Sequence, residues 1–270
     1  MRQFKTESFG RVIKHIQDEV DFEPEYYNED YLDRRISARM RRQDVDEYDD
    51  YLEVLKSDDR EKEALMDSLT INVTNFFRNQ EMWEALRPVL QELTEDNRRV
   101  SVWSAPCADG REPYSVYMLG MDDRNIDESR LNVVGTDISD EALENARAGT
   151  YETTRTTDIG EELSLLDDPE QYVDVVDNEF TVKPELRDAV SFERHDLIQD
   201  EPRRNCDLVF CRNLLIYIDT EFKIPIFETI TDSMSEGSYL VIGMTETIPQ
   251  ELRDDFDPVN KRCRIYRYTP

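Results

Sequence analysis

The 270-residue chain reads as an α/β protein, a mostly parallel, doubly wound sheet preceded by a small all-α domain. Three observations carry this reading. From Val100 onward, strand-like apolar runs alternate with amphipathic helical stretches. The first of those runs leads into a turn of small residues containing a glycine, and everything before Leu69 has helical periodicity only.

In the N-terminal part, Phe9, Val12, Ile13 and Ile16 share one helical face, as do Tyr48, Tyr51, Leu52 and Leu55. Ala64, Leu65 and Leu69 follow at the same spacing. Residues 1–70 are therefore expected to form a helical domain, 71–99 a linker and interdomain segment, and 100–270 the α/β domain. Within the latter, strands are expected at Val100 to Ala105, Leu131 to Thr136, Val190 to Glu193, Asp207 to Phe210, Tyr239 to Gly243 and Arg264 to Tyr268. Helices are expected through Tyr114 to Met121 and Ser139 to Arg147. Tyr172 to Lys183, with Asp177-Asn178 between two β-branched runs, reads as a small hairpin inserted near 171–184.

The formal net charge is -29, yet 38% of residues are hydrophobic and the helical periodicity is clear, which argues against disorder. Only seven of the 33 basic residues are lysine, and acids occur in every segment. Such a composition suits solubility in molar salt, where self-repulsion is screened, and it argues against non-specific nucleic-acid binding. No apolar run approaches the roughly 18 residues of a membrane span, and the first ten residues lack a signal-peptide core, so a soluble cytoplasmic protein is expected. Cys107, Cys206, Cys211 and Cys263 have no C-x-x-C spacing and are expected as buried thiols. His15 and His195 do not make a metal site.

The most informative stretch is D-L-V-F-C-R-N-L-L-I-Y-I-D, Asp207 to Asp219. A buried-strand run ends in Arg212 and Asn213 and continues into an apolar helix start carrying Tyr217. Ligands of open α/β sheets bind outside the carboxyl ends of strands, so these groups either face a ligand or cap the next helix. The first βα turn, V-W-S-A-P-C-A-D-G-R-E-P-Y-S-V, has small residues at Ala105, Ala108 and Gly110 that let a nucleotide-like ligand approach the backbone. Its single glycine does not favour a pyrophosphate, and Asp109 and Glu112 would attract a cation such as a sulfonium. Asp137, just past the second strand, has the spacing of an acid that accepts ribose hydroxyls, or of a cap for the helix near Ser139. Upstream, L-T-I-N-V-T-N-F-F-R gathers Asn72, Thr74, Phe76, Phe77 and Arg78, either a ligand-facing segment or a helix break capped by Thr74.

Taken together, T-N-F-F-R, A-D-G-R-E-P-Y-S, G-T-D-I-S, D-L-V-F-C-R-N-L-L-I-Y and E-G-S-Y-L-V-I-G resemble, in order and almost end to end, the CheR family of chemotaxis receptor methyltransferases. The resemblance implies a Rossmann-like domain using S-adenosylmethionine, with S-adenosylhomocysteine as product, to methylate glutamates on cytoplasmic chemoreceptor helices. It implies that Asn72, Thr74, Arg78, Glu112, Asp137, Arg212 and Asn213 line the cofactor site and that Asp196 and Leu197 hold the adenine edge. Arg78 and Tyr217 would position the substrate carboxylate. A glutamate is already ionised near neutral pH, so catalysis would rest on alignment rather than on a strong base.

R-R-I-S-A-R-M-R-R places five arginines, Arg34, Arg35, Arg39, Arg41 and Arg42, in nine residues of a very acidic chain. The resemblance assigns such a helix to docking on acidic receptor helices; the plainer alternative is pairing with acids such as Asp33 and Asp46. Pro106, Arg111 and Met244 depart from the family pattern, and the hairpin lacks the glycine-bearing turn associated with tethering a receptor's C-terminal peptide. No such tethering is expected, nor membrane insertion, and the chain is expected to be monomeric. The competing readings are a methyltransferase for RNA or a small molecule and a catalytically silent receptor-binding adaptor. The acidic surface disfavours the first, and the retained Arg78, Asp137, Arg212 and Tyr217 disfavour the second.

Overall fold

A computed structural model describes residues 4–19, 23–69, 74–154 and 157–270. The chain divides into two compact units, one of residues 1–71 with 215–223, the other of 72–214 with 224–270.

The smaller unit contains α1 (Glu7–Glu19), α2 (Glu29–Arg42), α3 (Tyr48–Ser57) and α4 (Asp59–Leu69). The apolar stripe of α1, Phe9, Val12, Ile13 and Ile16, is buried, and α1 packs on α3 while α2 packs on α4. Asn28 caps α2 by accepting the Tyr31 N–H at 2.8 Å. A further piece of this unit comes from far along the chain. Asn28 N–H donates to the Tyr217 carbonyl at 2.9 Å, Asp219 N–H donates to the Tyr26 carbonyl at 2.8 Å, and Tyr27 forms an antiparallel bridge with Ile218.

In the larger unit the seven-stranded sheet runs β6-β2-β1-β7-β8-β10-β9: β1 (Val100–Ser104), β2 (Leu131–Asp137), β6 (Val190–Arg194), β7 (Cys206–Cys211), β8 (Met234–Ile242), β9 (Phe256–Asn260) and β10 (Ile265–Tyr268). The first five in that order are parallel; β10 is antiparallel to both β8 and β9. Strand order reverses between β1 and β7, and ligands of such sheets bind outside the carboxyl ends at this point. Helices α5 (Gln80–Asp96), α6 (Arg111–Asp122), α7 (Asp140–Ala148), the single turn α8 (Ile159–Glu162), α9 (Pro184–Ala189) and α10 (Thr220–Ser233) complete the helical elements. A separate sheet of order β3-β5-β4 contains β3 (Thr150–Glu152) and the hairpin β4 (Val173–Val176) and β5 (Glu179–Val182), whose turn has Asp177 at φ 55°.

Two expectations change. The segment 71–99 is not a linker over most of its length: α5 buries Met82, Trp83, Leu86, Val89, Leu90 and Leu93 in the core of the larger unit. Tyr217 is not on a helix, because the backbone of 217–219 is occupied by hydrogen bonds to 26–28, and the helix begins only at Thr220. The short β3 and the proline-containing β9 carry little periodicity and escaped the sequence reading. All four cysteines are buried and free. Among the described residues, no helix is long and apolar enough to cross a membrane.

Candidate active site

The carboxyl edge of the parallel strands gathers most of the expected residues. Asp137 ends β2 and is 7% exposed. Its Oδ2 accepts the Ala108 N–H at 2.9 Å and its Oδ1 accepts the Ser139 N–H at 3.0 Å. Ser139, not Asp137, caps α7, accepting the Ala142 N–H with its hydroxyl. Asp137 thus joins the first βα turn to the second. Burial pushes its carboxyl above the usual aspartate range, against the pull of the Ser139, Ala108 and Ile138 amides.

The first turn is held by a different acid. Glu112 Oε2 pairs with Arg212 Nη1 at 2.8 Å, and Ser104 Oγ donates to Glu112 Oε1 at 2.9 Å. Arg212 also donates through Nη2 to the Arg78 carbonyl at 3.0 Å and to Asn79 Oδ1 at 2.9 Å. Its side chain is 2% exposed, so Arg212 braces the edge from within. Asp109 is likewise neutralised, by Arg111 at 2.7 Å. The expectation that Asp109 and Glu112 give the site its negative character is therefore corrected: each has its own guanidinium, whereas among the described residues Asp137 has no ion pair.

Arg78 lies on the stretch Phe76 to Asn79, whose Phe77 and Asn79 have φ of 47° and 63°. The Trp83 indole donates to its carbonyl at 3.1 Å. Asn213, at φ 61°, donates its N–H to Glu246 Oε2 at 2.9 Å, and Gly243 N–H donates to the same oxygen at 2.7 Å. A Cβ on Gly243 would stand 3.0 Å from the Asn213 nitrogen, so glycine lets these two loops approach. Glu246 was not found from the sequence, since its role depends on the Asn213 loop reaching it. After β6, Leu197 is buried, but Asp196 turns its Oδ1 to the N–H groups of Ile198 and Gln199. Thr74 is half-buried, and Asn72 lies outside the described residues. Burial raises the Cys107 and Cys211 thiols, which makes thiolate chemistry there unfavourable.

In the smaller unit, Tyr217 stacks at a tilt on Tyr31, ring centroids 4.8 Å apart, and the guanidiniums of Arg35 and Arg34 lie 5.3 and 5.8 Å from the Tyr31 ring. Arg39 does not belong to a free docking face. It pairs with Glu61, which is 2% exposed and also accepts from the Tyr51 hydroxyl and the Gln43 amide. Neither Asp33 nor Asp46 is its partner: Asp33 accepts from Lys5, Ser37 and Tyr48.

A carboxylate has about four lone-pair sites, and at Asp137 the Ala108 and Ser139 hydrogen bonds take two of them. A doubly wound sheet with an acid at the end of β2 and small residues in the first turn has the layout of a domain that binds a nucleoside-bearing cofactor. The comparisons agree: the model for the CheR methyltransferase SAM-binding domain matches residues 72–265, and that for the CheR methyltransferase all-alpha domain matches 7–70. The chain belongs to the CheR methyltransferase family, and its cofactor is S-adenosylmethionine. It is 33% identical over 242 residues to a chemotaxis protein methyltransferase of Listeria monocytogenes, covering 89% of this chain and 88% of that one. It is 34% identical over 199 residues to chemotaxis protein methyltransferase 1 of Pseudomonas aeruginosa, covering 69% and 70%.

Proposed function

We propose that this methyltransferase esterifies glutamate side chains on the cytoplasmic helices of chemoreceptors. S-adenosylmethionine supplies an electrophilic methyl group. The acceptor carboxylate, with an ordinary pKa of about 4.3, is ionised near neutral pH and requires no general base. The protein's task is then to hold it. Arg78 is the group for that work, and the observation that carries the reading is the Arg212 brace, which joins the Arg78 carbonyl to Glu112 of the first turn. Asp137, Leu197 and Asn213 are assigned to the cofactor, with Asn72 and Thr74 as further contacts. Tyr217 is assigned to the acceptor carboxylate, and Arg34, Arg35, Arg41 and Arg42 to receptor docking. A receptor helix rich in acids would complement this basic helix on an otherwise acidic chain.

The test uses methyl-labelled S-adenosylmethionine and a purified chemoreceptor cytoplasmic fragment. Label released by base as methanol is expected, and Arg78→Ala is expected to reduce it by about a hundredfold while the protein stays folded. Tyr217→Phe, in the same assay, isolates the phenol. Base-stable label would sink the ester assignment, and undiminished turnover of Arg78→Ala would sink the role of Arg78.

A further inference from the structure

Glu162, the last residue of α8, has no place in the site described above, yet its side chain is 9% exposed and reaches the turn before α5 that carries Arg78. Its Oε2 accepts the Phe76 N–H at 2.9 Å. The same oxygen lies 3.4 Å from Arg111 Nη1, and Arg111 is anchored in turn on Asp109. The next amide, Phe77 N–H, donates to Ser115 Oγ at 3.0 Å, while Ser115 donates to the Arg111 carbonyl at 2.7 Å. Arg78 is thus preceded by two consecutive amides, each held by a side chain of another element, and its own carbonyl is held by Arg212 and Trp83.

The backbone here needs such holding. Phe77 sits at φ 47°, a left-handed conformation that a bulky aromatic residue adopts only when its surroundings over-determine it. Glu162 is an expensive way to achieve this for stability alone. Among the described residues its Oε1 is buried with no hydrogen-bond partner, and burial raises its carboxyl above the usual glutamate range despite the Phe76 amide and Arg111. A half-satisfied buried carboxylate is weak evidence for stability and is better understood as fixing one conformation. Phe76, Phe77, Arg78, Glu161 and Glu162 line a cleft of about 420 Å³, so the stretch borders open space on one side while the Phe76 and Phe77 rings are buried against Tyr151 and Trp83 on the other.

We propose that Glu162 is a positioning residue for Arg78: its carboxylate, anchored by Arg111, fixes the strained Phe76 to Asn79 turn and with it the direction in which Arg78 meets the methyl acceptor. The proposal rests on the reading of Arg78 given under Proposed function. It adds a residue 84 positions away in sequence whose effect passes through Arg78 alone.

The experiment is a double-mutant cycle on the full chain with Glu162→Ala, Glu162→Gln, Arg78→Ala and the Glu162→Ala/Arg78→Ala pair. Methyl transfer to the receptor fragment, S-adenosylhomocysteine affinity by calorimetry and hydrogen exchange of the Phe76 to Asn79 amides are read for each. Glu162→Ala is expected to lower kcat about tenfold, leave S-adenosylhomocysteine affinity within about twofold and speed exchange at Phe76 and Phe77. Glu162→Gln, which keeps an acceptor for the Phe76 N–H, is expected to recover part of the rate. In the Arg78→Ala background, Glu162→Ala should cost nothing further. Additive losses in the cycle, or a kcat of Glu162→Ala within twofold of the parent, would overturn the proposal. Full activity of Arg78→Ala itself would instead overturn the underlying reading of Arg78, and the exchange data on Glu162→Ala would still report whether the turn is held by this carboxylate.

Discussion

Glu112 and Arg212 meet as a buried ion pair, 2.8 Å between Oε2 and Nη1, and connect the first βα turn to the end of β7 across the point where strand order reverses. With side chains 10% and 2% exposed, each neutralises a charge that would otherwise be stranded. Arg212 extends the connection to the Arg78 carbonyl, so a pair that looks structural also shapes the catalytic edge.

Breaking this pair on one side is therefore expected to be severe. Arg212→Ala leaves a buried carboxylate unpaired and should cost about 3–5 kcal/mol, the usual range for halving a buried pair. Thermal unfolding should shift down by about 10 °C. The double change Glu112→Leu/Arg212→Met removes both charges and should recover most of that stability without recovering methyl transfer, because the Arg78 carbonyl keeps only the Trp83 indole and loses its tie to the first turn. A double variant as unstable as the single one would show that the pair's value lies in packing rather than in charge balance.

Asp137 should behave in the opposite sense toward its ligand and toward the fold. Burial raises its pKa, so the charged form is disfavoured in the free protein, and its contribution to folding is least favourable above the raised pKa. The ribose contact proposed for Asp137 would require that same charged form. S-adenosylhomocysteine affinity is expected to weaken on acidification at a higher pH than an exposed aspartate would dictate. In Asp137→Ala this pH dependence should vanish and affinity should fall about 10-fold to 100-fold, from the loss of charged hydrogen bonds. Calorimetric titration from neutral pH down to the lowest pH at which both proteins stay folded compares the two; parallel pH profiles would remove Asp137 from the ribose site.

The fold was legible where periodicity was strong. The alternation from Val100 to Gly243 revealed the parallel strands, and Asp137 could be placed because its position after β2 is set by chain order alone. Residues whose role depends on chain segments converging could not be read that way. Glu246 serves Asn213 from 33 residues on, Glu162 serves Phe76 from 86 residues on, and Tyr217 lies in a turn because its backbone pairs with residues near 27. By helical spacing Arg39 shares a face of α2 with Arg35 and Arg42; a buried Glu61 on another helix separates it from them.

Glu61 should make the helical unit acid-labile. Burial pushes its carboxyl up, but the hydrogen bonds from Arg39, Tyr51 and Gln43 outweigh it and leave the pKa below the ordinary value. For an acid lowered in the folded state, the stabilisation is complete above its unfolded pKa of about 4.3 and is lost as pH falls through the lowered value. Glu61→Gln should remove that acid-sensitive component and, by leaving Arg39 unpaired, cost about 3 kcal/mol near neutral pH. Circular dichroism during acid titration of both proteins checks this. An unchanged neutral-pH stability for Glu61→Gln would mean that Arg39 finds another partner.

Arg41 and Arg42 are both exposed in the last turn of α2, where their charge is also favourable to the helix dipole. Unlike Arg39, they can be reversed without opening the core. Arg41→Glu/Arg42→Glu is expected to raise KM for a receptor fragment about tenfold at low salt while kcat, thermal stability and S-adenosylhomocysteine affinity stay within twofold. Screening should shrink the difference as ionic strength rises, because the Debye length falls from about 10 Å at 0.1 M to about 3 Å at 1 M. If the variant loses equally at both salt concentrations, docking at this helix relies on close contact in place of long-range attraction. If it loses nothing at either, the receptor meets another surface, and the basic helix serves the protein's own charge balance against its net charge of -29.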